Sequence, residues 1–273
     1  MSIQIQASKL GIETKAFVSK VFRPFPPLFD LTKKLSRLCG MRDQIFQILE
    51  EFSHHKKDVL FIQIGSNDGI SNDPLREFII GGKWQGVLIE PIPYLFEELC
   101  SNYQNIKGLN FENCAISPVE SDLILYVIDP NQVHCLPPSF ARQISSFDKE
   151  HVIKHFSKEL RIEDYIIELH VPSLSIEQVM HKYCIEKLDI LHIDVEGFEF
   201  KLLINTDLSR VNPRILNFET FHLCESDKKS LFQYLGNSGY EIFDFGWDSV
   251  AIKNDLQLQW CQTNSRCKVY QDG

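Results

Sequence analysis

Residues 58–75 read DVLFIQIGSNDGISNDPL. The apolar run DVLFIQIG has the length and composition of a buried strand. It stops at a polar turn in which Gly65 and Gly69 permit tight turning and close backbone approach, while Ser66, Asn67 and Asp68 supply polar groups. Asp73 then offers an N-cap, with Pro74 at the first position of a helix over DPLREFII. Strand, polar turn and helix make one βα unit, and the fold follows from how often that unit recurs.

It recurs along most of the chain. The strand GVLIEP precedes a helix over YLFEELCSNY, and LNFENCAIS reads as a third strand. Further on come a helix over LSIEQVMHKYC, a strand over LDILHIDV, a helix over EGFEFKLLI, a strand over RILNFET and a helix over SDKKSLFQYLGNSG that closes with glycine. Such alternation predicts an α/β fold with a mostly parallel, Rossmann-like sheet and right-handed crossovers. The end differs: YEIFDFG and WDSVAIKN are too close in sequence for a crossover, so they form a C-terminal antiparallel hairpin. Residues 129–172 interrupt the rhythm where α/β enzymes insert a substrate cover. DLILYVID, just before them, reads as an edge strand or as part of an inserted hairpin.

The 273 residues, 44% hydrophobic and 24% charged, suit one globular domain with an appendage. No stretch reaches the roughly 18 to 20 uninterrupted apolar residues of a membrane helix. The start, MSIQIQASKLGIETK, lacks a secretory apolar block, and the eight cysteines show neither a CxxC pair nor a Cys/His spacing for zinc. These features predict a cytoplasmic protein with reduced thiols and no integral membrane segment. A net charge of −9 argues against broad nucleic-acid binding. Residues 1–57 carry 10 Lys and Arg against 5 Asp and Glu, whereas the rest carries 18 against 32. The contrast divides the chain into an N-terminal helical extension, 1–57, and a main domain, 58–273. In the extension the prolines of RPFPPLFD break any helix, and apolar residues at Leu31, Leu35, Leu38, Ile45, Ile48, Leu49 and Phe52 then give an amphipathic helix or helical pair. It is expected to pack on the acidic body and is also a candidate surface for homodimerisation.

Candidate chemistry gathers at the carboxyl ends of the expected strands, where open α/β sheets bind ligands. The turn at 65–69 is the first such place. The second is Glu90, 25 residues beyond Gly65, placed to accept the ribose hydroxyls of an adenosine cofactor. The third is HIDVEGFE, residues 192–199, where Asp194, Glu196 and Glu199 cross a strand-to-helix turn, so at least one acid faces the cleft. Glu199 suits a helix-dipole role, whereas Asp194 directly follows the buried-looking LHI. GSNDGI lacks the GxGxxG spacing, and no GxxxxGK[ST] loop exists, which disfavours NAD and ATP.

Taken in order, IGSNDG, LIEPIPYLFEELCSNY, FENCAIS, VPSLSIEQVM and LHIDVEGFEFKLL resemble the FkbM-type methyltransferases that use S-adenosylmethionine (SAM). The terminal hairpin agrees with such a fold. The resemblance covers roughly residues 58–222 and implies a Rossmann-like class I methyltransferase sheet and methyl transfer from SAM to a hydroxyl oxygen of a sugar or natural product. By position it implies that Gly65, Ser66, Asn67, Asp68 and Gly69 surround the methionine and ribose parts of SAM. It further implies that Glu90, beside Pro91, holds the ribose, that Asn113, Cys114 and Ala115 border the adenine, and that Asp194 faces the transfer centre. Two departures stand out: Gln63 where the family often has an acid, and His192 where it often has a lysine.

An alcohol acceptor loses its proton, so a general base is expected; Asp194, His222 and His192 are the candidates, with Glu219 as an orienting acid in the acceptor pocket. In the insertion, Ser145, Ser146, Phe147 and His151 suit a sugar ring, and SSFDKEH equally suits a helix start with a serine N-cap. No metal ligand is assigned, although Asp194, Glu219 and His222 could instead hold a hard divalent ion. The expected acceptor is a small molecule or glycan. The alternatives are a non-catalytic SAM-fold binding module and, behind it, a nucleotide-dependent oxidoreductase.

Overall fold

The computed structural model describes residues 44–71, 73–81, 84–118, 122–133, 136, 141–156, 161–264 and 269. In chain order, β1 (Val59–Ile64), β2 (Trp84–Ile89) and β3 (Leu109–Glu112) lead through the short β4 (Ala115–Ile116) to β5 (Leu123–Ile128), β6 (Ser145–Ser146) and β7 (Ile166–Val171). The short β8 (Ser173–Leu174) then precedes β9 (Ile190–Ile193), β10 (Ile215–Glu219), β11 (Tyr240–Asp244) and β12 (Asp248–Lys253). Seven of these form one sheet in the order β11-β12-β10-β9-β1-β2-β3. β1, β2, β3, β9 and β10 pair in parallel, while β12 is antiparallel to both β10 and β11. The mostly parallel sheet with its antiparallel terminal hairpin is the one expected from the sequence.

The chain travels outward from β1 through β2 to β3, then returns to the other side of β1 with β9. Between β1 and β9 lies the switch point, the place where open α/β sheets accept ligands.

Alternation of side chains along each strand gives the sheet two apolar faces. Ile62, Ile64, Val87, Ile89, Leu191 and Ile193 face helices α5 (Ile176–Lys182), α6 (Glu199–Ile204), α7 (Leu208–Val211) and α8 (Glu225–Asn237). Phe61, Leu88, Ile190 and Ile215 face α1 (Gln44–His55), α2 (Arg76–Ile80), α3 (Pro93–Asn102) and α9 (Gln259–Thr263). Ile45, Ile48, Leu49 and Phe52 of α1 are buried in that second core. Lys56 Nζ, just past α1, is 2.5 Å from the buried Asp189 carboxylate, which also accepts the Leu60 N–H. The part of the expected helical pair before Gln44, and a dimer surface on it, lie outside the described residues.

Two local expectations change. The helix over DPLREFII begins only at Arg76, with Leu75 rather than Asp73 as its cap. Asp73 is drawn elsewhere: its carboxylate accepts Leu75 N–H at 2.8 Å, Tyr103 O–H at 2.9 Å and Gln63 Nε2 at 3.1 Å. LNFENCAIS is broken into β3 and β4, the latter pairing in parallel with β8. DLILYVID, left open between an edge and an insertion, belongs to the insertion: β5 pairs antiparallel with β6 and β7. That sheet and the helix α4 (Lys149–Lys154) share an apolar cluster including Ile128, Ile144, Val152 and Ile162. Among the described residues, no helix is long and apolar enough to cross a membrane.

Candidate functional site

A cavity of about 600 Å³ opens at the switch point. That size lies within the range of small-ligand sites. Its walls come from the turns after β1, β2, β9 and β10 and from the insertion.

The turn after β1 is held by its backbone. Gly65 and Ser66 both donate N–H to Ile89 O at 3.0 Å, and Ser66 Oγ donates to Gln63 O at 3.1 Å. Gly65 has φ +77°, and a β-carbon there would lie 1.8 Å from Asp194 O. Asn67 sits at φ +52°, and its N–H donates to Glu90 Oε2 at 2.8 Å. Gly65, Ser66 and Asn67 line the cavity. Asp68 and Gly69 serve the turn instead. The Asp68 carboxylate accepts Ile70 N–H, Ser71 N–H and Ser71 O–H, while Gly69 lies where a β-carbon would meet the Tyr103 ring at 2.4 Å. Burial raises the Asp68 carboxyl, but the hydrogen bonds from Ser71 and Ile70 win, and its pKa is lowered.

Glu90 directly follows β2 on the cavity wall, buried, with Oε1 accepting Ile92 N–H at 3.0 Å. Burial pushes its pKa up to about 7 against the two N–H bonds that favour the anion. Asn113 holds the following turn, its Nδ2 donating to Glu90 O at 2.8 Å and Pro91 O at 3.2 Å. Pro91, Cys114 and Ala115 face the cavity. Burial raises the Cys114 thiol to about 12, so it stays neutral.

Beneath the turn runs a polar row across the sheet. Gln63, His192 and Asn217 occupy matching positions on β1, β9 and β10, and all three are buried and line the cavity. The Asn217 side-chain amide and His192 Nδ1 are within hydrogen-bond distance, 2.8 Å apart. Burial lowers the His192 pKa to about 4, so the ring is neutral near pH 7. Gln63 Oε1 is buried without a hydrogen-bond partner. Such an orphan acceptor suits a donor such as the ammonium group of SAM.

The turn after β9 carries most of the charge. Asp194 is exposed on the cavity wall. Glu199 is fully buried and clamps the turn, accepting Val195 N–H at 2.8 Å and Gly197 N–H at 3.0 Å, and burial raises its pKa to about 7. Glu219, ending β10, is raised well above the usual carboxylate range by burial and then by Asp194, Glu196, Glu199 and Asp248. His222 Nε2 lies 3.4 Å from Glu196 Oε2 and 3.6 Å from Glu219 Oε2.

The insertion supplies Ser145, Phe147 and His151 to the cavity, while Ser146 donates to Glu196 O at 3.2 Å. The N-cap of α4 is Asp148, accepting Glu150 N–H, rather than a serine. Phe221, Trp247 and His155 also line the wall and had not been singled out from the sequence, whereas Glu196 had been, as an acid of the 192–199 turn. Phe221 and Trp247 stack with centroids 3.8 Å apart and planes 3° from parallel; Glu196 and His155 join His151 and His222. The H-x-x-x-H spacing of His151 and His155 on one helical face was the available signal.

A family model described as the methyltransferase FkbM domain matches residues 63–242. No curated protein matches the chain. Among similar solved structures is methyltransferase FkbM from Methylobacillus flagellatus KT, 14% identical over 72% of this chain and 44% of that one, with a TM-score of 0.45. The chain thus spans less than half of that protein's length. A SAM dependent methyltransferase from Aquifex aeolicus is 12% identical over 80% of this chain and 94% of that one, at a TM-score of 0.38. Aeropyrum pernix fibrillarin, crystallised with natively bound S-adenosyl-L-methionine, is 11% identical over 72% and 67%, at 0.37. The family match carries the assignment; the structural likenesses add nothing to it.

Proposed function

This chain belongs to the FkbM family of SAM-dependent methyltransferases, and we propose that it methylates a hydroxyl oxygen of a sugar, glycan or glycosylated small molecule. One observation supports the reading: Glu90 and the 65–67 turn line the same cavity as Asp194 and the stacked Phe221–Trp247 pair. Stacked Phe221 and Trp247 suit the apolar face of a sugar ring, and the polar groups around them suit its hydroxyls.

When bound, SAM supplies an electrophilic methyl on a sulfonium sulfur. Glu90 would accept the ribose hydroxyls, Gln63 Oε1 the methionine ammonium, and Cys114 and Ala115 would border the adenine. Holding two reactants in line can supply roughly 7 to 11 kcal/mol. Beside that methyl, Asp194 would accept the proton that the acceptor hydroxyl gives up. A positioned base contributes about 10² to 10⁴-fold. Neutral His192 lies deeper, in the polar row, and orients rather than deprotonates.

Calorimetric titration with SAM, its demethylated product and NAD tests the cofactor. Incubation with methyl-labelled SAM and a glycoside panel, followed by mass analysis, tests the acceptor. Binding of neither SAM nor its product would refute the reading; binding without transfer to any acceptor would favour the non-catalytic module.

A further inference from the structure

Three histidines and one glutamate converge from three separate parts of the fold on one wall of the cavity. His151 and His155 lie one turn apart on α4 and its C-cap, Glu196 lies in the turn after β9, and His222 follows β10. Their facing atoms all lie within 4.8 Å of one another. Nε2 of His151 and of His155 are 3.2 Å apart, and Nε2 of His222, His155 and His151 lie 3.4, 3.9 and 4.0 Å from the same Glu196 Oε2. Four ligand atoms bound tetrahedrally at about 2.1 Å from one ion would be about 3.4 Å apart. The observed separations bracket that value.

The surrounding backbone is built for this convergence. Glu196 has φ +50°, a conformation costing a non-glycine residue on the order of 1 kcal/mol or more. Gly197 follows at φ +94°, and a β-carbon on it would stand 2.9 Å from the His151 ring. Glu199 fixes the same turn through two N–H groups, and Ser146 ties it to the insertion. A neighbouring trio, Asp194, Glu199 and Glu219, is also close-set. Its Glu199 is already committed to the turn, and it offers no imidazole. Imidazole donors suit zinc, iron, nickel and copper, whereas magnesium and calcium prefer oxygen.

We propose that His151, His155, His222 and Glu196 bind one divalent transition-metal ion of the zinc class, and that this ion fastens the inserted helix α4 to the two strand-end turns of the central sheet. Four protein ligands complete a tetrahedron, so the ion's role is to hold the cavity wall together. His222 is then a ligand and not a free base. The site does not depend on methyl transfer.

The test uses the full chain without a polyhistidine tag, stripped with chelator and titrated with Zn²⁺ and with Co²⁺. We expect about one ion per chain, a visible cobalt spectrum of tetrahedral type, and slower backbone hydrogen exchange over residues 145–156 when zinc is present. His155→Gln and Glu196→Gln should each weaken zinc binding by about 100-fold, with far-ultraviolet circular dichroism confirming the fold. Absence of stoichiometric zinc or cobalt binding would overturn the proposal. So would equal zinc affinity in wild type and in both folded variants, which would place the ion elsewhere, as on the thiols.

Discussion

A β-carbon on Gly65 would lie 1.8 Å from the carbonyl oxygen of Asp194. The two residues belong to the turns after β1 and β9, so the contact closes the floor of the switch point. Asp194 N–H donates to Ile64 O at 3.0 Å, which fixes how near the two backbones must come. Both the positive φ of Gly65 and this approach exclude any side chain. Gly65→Ala should therefore destabilise the fold by about 3 kcal/mol or more. Thermal unfolding measures it; a melting temperature within a degree of wild type would show that the turn relaxes freely.

Glu90 provides a pH-dependent prediction. Its pKa of about 7 lies above the 4.5 of an ordinary glutamate, chiefly through burial. Between these values the folded state holds a proton that the unfolded state has released, so this group's contribution to stability falls as pH rises through the window. Ribose hydroxyls that donate to Glu90 favour the anion. SAM affinity should thus rise with pH up to about 7 and level off above it. Glu90→Gln should weaken SAM binding by about 10-fold to 100-fold, in line with lost charge-assisted hydrogen bonds, and should flatten the pH dependence. Calorimetry from pH 5.5 to about 8.5 reads both effects.

Gln63 occupies the position where an acid is common in the family, and the structure gives the amide a specific partner. Its Nε2 donates to Asp73 Oδ1 at 3.1 Å, and Asp73 is itself raised by burial. Gln63→Glu removes the donor and sets two carboxylates side by side. The variant should lose roughly 1 to 3 kcal/mol at pH 8 and recover most of it near pH 5, where the pair shares a proton. Urea unfolding at the two pH values checks this; an equal loss at both would mean that charge is not the cause.

Much of this arrangement was legible in the sequence, because βα alternation and strand-end acids are local signals. Glu90 and Asp194 were readable from their offsets to the glycine turn and to the apolar run LHI. The division of labour inside the turn was not. Asp68 and Gly69 look as cofactor-like as Asn67 in sequence, yet Asp68 closes its own turn and Gly69 makes room for Tyr103. The meeting of His155 with Glu196 and His222 depends on how the insertion docks, which no spacing records. Trp247 was hidden in the hairpin, where an aromatic residue reads as ordinary strand composition.

Asp194 and Glu90 should separate in kinetics. Asp194→Asn keeps the volume and removes the proton acceptor, so kcat should fall by about 10² to 10⁴-fold while SAM affinity stays within about threefold. Initial rates with labelled SAM, alongside calorimetry, make the comparison. A loss confined to SAM affinity would move Asp194 from the reaction to the cofactor.

The Phe221–Trp247 pair gives the sharpest test of acceptor class. The rings are near parallel at 3.8 Å and both border the cavity, on the side of His222 and away from Glu90 by their position after β10 and in the terminal hairpin. A sugar stacked there would place its C–H face on the outward face of one ring of the pair and its hydroxyls toward Asp194 and Glu219. Trp247→Leu keeps an apolar wall and loses the flat one. It should raise the acceptor KM by about 10-fold, the equivalent of roughly 1.4 kcal/mol, within the range of aromatic stacking contributions. SAM affinity should not change. If Trp247→Leu instead weakened SAM and left the acceptor KM intact, the hairpin would belong to the cofactor end, and the carbohydrate reading would lose its main support.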